Sequence, residues 1–142
     1  MEELSVAVCC GDVPSEFLIQ VKRSMQVALD IETSGLAWER DRIATCQLSL
    51  HENEALIVRI DGSTPKNLCA LIEDPKVKKV FHHAMFDLRF MRYIWGAKVR
   101  NAACTKIAAK LLHVGQPRCH RLRWLLKAHL GLVIDKSETL SN

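Results

Sequence analysis

An α/β fold with a mixed sheet is predicted by three features of the sequence. Three apolar or alternating runs (Gln26–Thr33, 43–50 and 55–61) follow one another across short polar turns, which predicts a meander of antiparallel strands. Helical patterns then alternate with a fourth strand-like run at 77–82, so the sheet should begin antiparallel and continue parallel, with helices on its flanks. The chain of 142 residues, 49% hydrophobic and 25% charged, is of a size and balance for one globular domain with a real core.

Taken in order, residues 6–10 read as a short strand. Residues 14–25 read as an amphipathic helix with Pro14 near its first turn. After the meander, Thr64-Pro65 supplies a cap residue and a first-turn proline, and the helix it opens turns Leu68, Leu71 and Ile72 inward before stopping near Asp74-Pro75. The fourth strand is followed by a helix over Ala84–Trp95 that ends at Gly96. A short strand near 98–100, a helix over 101–113 closed by Gly115 and Pro117, and a last helix over 120–130 ending at Gly131 complete the reading. On that last helix Leu122, Leu125, Leu126 and His129 should face inward.

Composition excludes several classes. No apolar run approaches the ~20 residues of a bilayer span, and the acidic start Met1-Glu2-Glu3 lacks a basic-then-apolar leader. The six cysteines form no C-x-x-C pair, so free thiols and a cytoplasmic location are expected. The net charge of +4 is unevenly placed. Residues 1–75 carry 6 Lys+Arg against 13 Asp+Glu, and residues 76–142 carry 14 against 3. An acidic half beside a basic half suits a protein that holds cations and a polyanion together, although a solvated surface would look the same.

Two groups of acids carry chemistry. In the strand Gln26–Thr33, alternation points Val27, Leu29 and Ile31 one way and Ala28, Asp30 and Glu32 the other. Two carboxylates side by side raise each other's pKa unless a cation lies between them, and Mg²⁺ or Mn²⁺ is the natural partner of such oxygens. A solvated strand edge would present the same pair. Asp87 is more telling. At about 100° per residue, Phe90, Met91, Ile94 and Trp95 lie around it, while Arg89 and Arg92 lie on the far side. A buried carboxylate needs compensation. A local hydrogen bond, protonation, or a metal shared with Asp30 and Glu32 would each supply it.

The run Ala28-Leu29-Asp30-Ile31-Glu32-Thr33-Ser34-Gly35-Leu36 resembles the first motif of the DEDD 3′–5′ exonucleases, and Val80-Phe81-His82-His83-Ala84-Met85-Phe86-Asp87 resembles the second. The intervening Cys46-Gln47-Leu48-Ser49 and the later Ala103-Cys104-Thr105-Lys106-Ile107-Ala108 also fit. The likeness is to the short bacterial RNase D-like proteins of the nanoRNase C type. It implies an RNase H-like fold and hydrolysis of phosphodiester bonds at the 3′ end of RNA, or of other single-stranded nucleic acid, with a two-ion Mg²⁺ or Mn²⁺ site. Asp30, Glu32 and Asp87 would be catalytic metal ligands. Thr33, Ser34, Gly35, Leu36 and His83 would meet the nucleic acid, with Leu36 as an apolar wedge. Homo-oligomers are expected by analogy.

One departure from the pattern matters. The family places a fourth carboxylate on a later helix, with a Tyr or His shortly before it. After Asp87 this sequence holds only Asp135 and Glu138, and the segment 132–142 resembles the lead-in to that helix. The expectation is an exonuclease domain truncated at its C-terminus, with an exposed apolar patch where the helix would pack. The alternative is a catalytically inactive RNase H-like module that binds nucleic acid or associates with another subunit. Arg118, Arg121, Arg123 and Lys127, with Trp124, are read either as a phosphate-contacting surface or as a solvated helix face. Lys76, Lys78 and Lys79 are read as a solvated turn.

Overall fold

The computed structural model describes residues 5–134, so residues 1–4, Asp135 and Glu138 lie outside the described residues. The elements run β1 (Ser5–Cys10), α1 (Ser15–Ser24), β2 (Gln26–Thr33), β3 (Ile43–Ser49), β4 (Glu54–Arg59), α2 (Lys66–Glu73), β5 (Lys78–Phe81), α3 (Ala84–Trp95), β6 (Ala102–Cys104), α4 (Thr105–Leu112), a 3₁₀ turn (Pro117–His120) and α5 (Leu122–Leu130). By contacts the chain divides into two compact units, Met1–Ala103 and Cys104–Asn142.

The sheet has the order β1-β4-β3-β2-β5-β6. The predicted meander is present: β2 pairs antiparallel with β3, and β3 with β4. The sheet then turns mixed, since β5 lies parallel to β2 and β1 lies parallel to β4. Alternation along β2 is strict. Val27, Leu29 and Ile31 are buried while Ala28, Asp30 and Glu32 are exposed, as period 2 requires. Leu48, Val58, Leu68, Ile72, Phe81, Phe90 and Met91 complete a closely packed core.

Three local predictions are corrected. Thr64 does not cap α2; Pro65 stands at that position with no side-chain cap bond. The cap comes from far away in sequence. Asp12 accepts the N–H groups of Asn67 (2.7 Å) and Leu68 (2.9 Å), while Asn67 Nδ2 donates to the Val13 carbonyl at 2.8 Å. The short strand lies at Ala102–Cys104, not 98–100, so the next helix begins at Thr105 rather than 101. Asn101, with φ 51°, makes the turn into that strand. Lys79 is not on a solvated turn. It is fully buried in β5, and its Nζ donates to the Asp74 carbonyl at 2.5 Å, closing the C-terminal end of α2. Burial pulls its pKa below the usual lysine value.

The second unit buries little. Ala109 and Cys119 are its buried apolar residues among those described. The inward face expected for α5 is not buried: Leu122 and His129 are exposed, and Leu125 and Leu126 are half-buried. His113 packs edge-on against Trp124 at 5.2 Å between ring centres, with His129 beside both. Ile107, Leu111, Leu112, Val114, Leu130, Leu132 and Val133 of this unit are exposed. All six cysteines are free. Among the described residues no helix is long and apolar enough to cross a membrane.

Candidate active site

The site is assembled where β2 outruns β5. The two strands pair only through Gln26, Val27 and Ala28, so a stretch of β2 backbone beyond Ala28 is left without a β5 partner. A buried N–H must find an acceptor. Ile31 N–H finds the Asp87 carboxylate at 3.2 Å, projected from the first turn of α3. The helix is set there by His83, whose left-handed backbone (φ 71°) turns the chain sharply from β5 into α3.

Asp87 is 2% exposed, and its pKa is pushed up to about 7. Burial is the main cause, followed by the charge of Asp30 and, more weakly, that of Glu32; backbone N–H groups of Asp87 itself and Ile31 oppose it. Asp30 is also raised, first by desolvation of its carboxyl and then by Glu32. The three acids expected from sequence are thus near enough to feel one another's charge. Behind them lies Cys46, fully buried and paired across the sheet with Ile31; burial and then the charges of Asp87 and Asp30 hold its thiol protonated.

The donor chemistry of these acids fits a hard divalent cation. Among the described residues, however, no three His, Cys, Asp or Glu side chains close into a group that could hold a metal by themselves. Mg²⁺ is ordinarily held by one or two carboxylates while keeping waters and substrate oxygens, so an open set of acids suits it better than a closed cage does.

The loop after β2 is braced from within. Thr33 Oγ1 donates to the Gly35 carbonyl at 2.6 Å, Ser34 Oγ accepts the Arg42 N–H at 3.0 Å, and Ser34 N–H donates to the Arg42 carbonyl at 2.9 Å. Both hydroxyls expected to meet a nucleotide therefore already serve the loop. Asp41 accepts the Ala37 N–H at 2.8 Å, and its carboxylate occupies the space that a Cβ on Gly35 would need. Glycine is required here to admit Asp41, a reason the sequence reading missed. Leu36 stands out at the tip, 84% exposed. His83, also expected at the nucleic acid, is exposed. Nothing in the spacing of Asp41 marks it as a brace, since its partners are four and six residues back in a loop without period.

A mixed sheet with antiparallel and parallel pairs, flanked by helices, is the fold of RNase H-like nucleases. Within that class the chain belongs to the 3′–5′ exonuclease family, whose model matches residues 6–142, and it is DEDD-type and RNase D-like. A structure described as the apo form of a nuclease is 32% identical, with a TM-score of 0.88 over 96% of this chain and 66% of its own. Brucella melitensis NrnC bound to pGG is 30% identical, with a TM-score of 0.86 over 94% of this chain and 65% of its own. The same protein with bound Mg²⁺ is 28% identical, with a TM-score of 0.84 over 98% of this chain and 68% of its own. Escherichia coli RNase D, at 20% identity and a TM-score of 0.72, covers 100% of this chain and 37% of its own, and shares the fold. The chain thus spans about two thirds of the length of the NrnC structures it matches. No curated protein sequence matches it.

Proposed function

We propose that this chain is a metal-dependent 3′–5′ exonuclease domain that removes nucleotides from the 3′ end of RNA. The observation that carries the reading is that the buried Asp87 accepts the N–H of Ile31, the residue between Asp30 and Glu32 on β2, where burial and the charges of those two acids raise its pKa to about 7. An acid kept so close to other acids is costly without a cation, and a polyanion-binding surface has no use for three carboxylates unless metal lies between. Asp30, Glu32 and Asp87 would hold Mg²⁺ or Mn²⁺. Bound there, the ions would activate water for attack on the phosphodiester and stabilise the leaving oxygen. The chain's own part is positional. β2 and α3 fix the acids through the Ile31 amide, the braced loop would present Leu36 to the last base, and His83 would contact phosphate. NrnC bound to pGG supports a short RNA as substrate, and NrnC bound to Mg²⁺ supports the metal. A cytoplasmic location and homo-oligomers belong to the same reading, which treats residues 1–142 as one exonuclease domain.

A second reading is an RNase H-like module that binds nucleic acid or associates with another subunit and does not cut. The test uses purified residues 1–142 and a 5′-labelled short RNA in Mg²⁺, in Mn²⁺ and in chelator, beside Asp30→Ala. Stepwise metal-dependent loss from the 3′ end that disappears in the variant establishes the exonuclease. Salt-sensitive binding without cleavage establishes the second reading.

A further inference from the structure

On the face of α3 opposite Asp87 lies a groove of about 1090 Å³ to which the carboxylate chemistry assigns no role. Its lining includes Trp38, Tyr93, Arg89, Arg92, Lys98 and Arg100, four cations and two aromatic rings with no carboxylate among the lining residues. We infer that this groove binds the single-stranded body of a nucleic acid, upstream of the end held at Asp30, Glu32 and Asp87.

Charge and shape both point to that occupant. A surface that gathers four cations and no acid selects a polyanion. Arg89, Arg92, Lys98 and Arg100 are all exposed. Arg92 gives Nη1 to the Gly96 carbonyl at 2.6 Å, which fixes its guanidinium and leaves the rest of the fork for phosphate. Glu73 accepts the Lys98 N–H at 2.7 Å, so part of its charge is spent on the main chain. Apolar floor comes from Met85 and Leu88. Tyr93 meets Trp38 edge-on, with ring centres 5.1 Å apart and planes at 71°, and Tyr93 is 55% exposed. Two rings at that angle offer a face and a ledge against which bases of any sequence stack. Trp38 follows Leu36 by two residues in the same braced loop, so the loop that carries Leu36 at its tip also supplies one wall of the groove. A neutral apolar peptide would have no use for the four cations.

The inference rests on the exonuclease reading for the polarity of the strand, and stands without it for binding itself. The test measures anisotropy of a labelled 12-nucleotide RNA and of a labelled dinucleotide on the purified full chain in chelator, with Tyr93→Ala, Tyr93→Phe and Arg89→Glu. Both positions are exposed, and circular dichroism melts verify folding of each variant. Tyr93→Ala and Arg89→Glu should each weaken the 12-mer about tenfold and leave the dinucleotide within about twofold, while Tyr93→Phe keeps stacking and affinity. The groove assignment is overturned if the 12-mer binds no more tightly than the dinucleotide, or if neither variant changes its affinity. It is also overturned if sedimentation shows that the variants instead separate copies of the chain. Cleavage in Mg²⁺, run alongside, keeps the two proposals apart. Cleavage with no groove dependence removes only the groove, and groove-dependent binding with no cleavage removes only the exonuclease.

Discussion

The carboxylate of Asp87 accepts the main-chain N–H of Ile31, a residue 56 positions earlier, at 3.2 Å. A side chain from α3 thus completes the hydrogen bonding of β2 where β5 no longer reaches it, and one contact both secures the sheet and sets the spacing of the acids. Removing charge and removing the acceptor are therefore different experiments.

Asp87→Asn removes the charge and keeps an acceptor. An acid whose pKa is about 7 when folded, against an ordinary 3.8, takes up a proton on folding. Its contribution to stability is fully present below about 4 and is lost as pH rises toward 7. In chelator, the wild-type chain should lose on the order of 2–4 kcal/mol across that window, and Asp87→Asn should flatten the dependence and be the more stable of the two at pH 8. Urea titrations at pH 5 and 8 would show it. A wild-type curve without this slope would contradict the raised pKa.

Divalent ions act in the opposite sense. They favour the ionised acids, so Mg²⁺ should raise Tm more at pH 8 than at pH 5. Asp30→Ala should abolish most of the shift. Thermal melts at both pH values, with Mg²⁺ or chelator, decide this without any need for cleavage.

Asp12 offers a test of the long-range cap. Asp12→Ala leaves the Asn67 and Leu68 N–H groups without their acceptor, and the expected loss is about 1–2 kcal/mol. Thr64→Ala, at the position where sequence pattern alone puts the cap, should change stability by less than about 0.5 kcal/mol. Equal losses in denaturant titrations would return the cap to Thr64.

Gly35→Ala should destabilise the loop by about 1–3 kcal/mol, because the new methyl meets the Asp41 carboxylate. Asp41→Gly in the same chain should relieve most of that penalty while loosening the loop. A double-mutant cycle reads the coupling; additive effects would show that the two residues do not compete for the same space.

Lys79→Ala should cost about 2–4 kcal/mol, since it opens a cavity and frees the Asp74 carbonyl. Lys79→Met fills the volume without a charge to desolvate and should cost less than about 1.5 kcal/mol. The ordering of the two midpoints in urea is the informative quantity.

What could be read in advance followed the strength of the periodic signal. β2 and α3 were legible to the residue, because β2 alternates without interruption and α3 carries an apolar arc closed by Gly96. β6 was not, since three residues are too few to show a period, and the left-handed turn at Asn101 carries no glycine to announce it. Lys79 was readable in principle: it shares the buried face of β5 with Phe81, and Val77 just before the strand is buried as well. Its charge argued for solvent, and the Asp74 carbonyl that reconciles it to burial lies outside the strand. The acids at 30, 32 and 87 came from sequence. The Asp41 brace and the Trp38–Tyr93 pair join residues whose proximity only the fold creates.

Asp12, the distant cap on α2, lies just past β1 and 55 residues before Asn67, so the cap and the docking of β1 along β4 are expected to form together. Closing so long a loop is slow in entropic terms. Until it closes, β4 presents an open edge in the register that β1 later fills, from Glu54 to Arg59. The nascent chain is therefore most exposed to wrong strand pairing before its first segment returns, and variants that weaken β1 should appear first as aggregation during refolding.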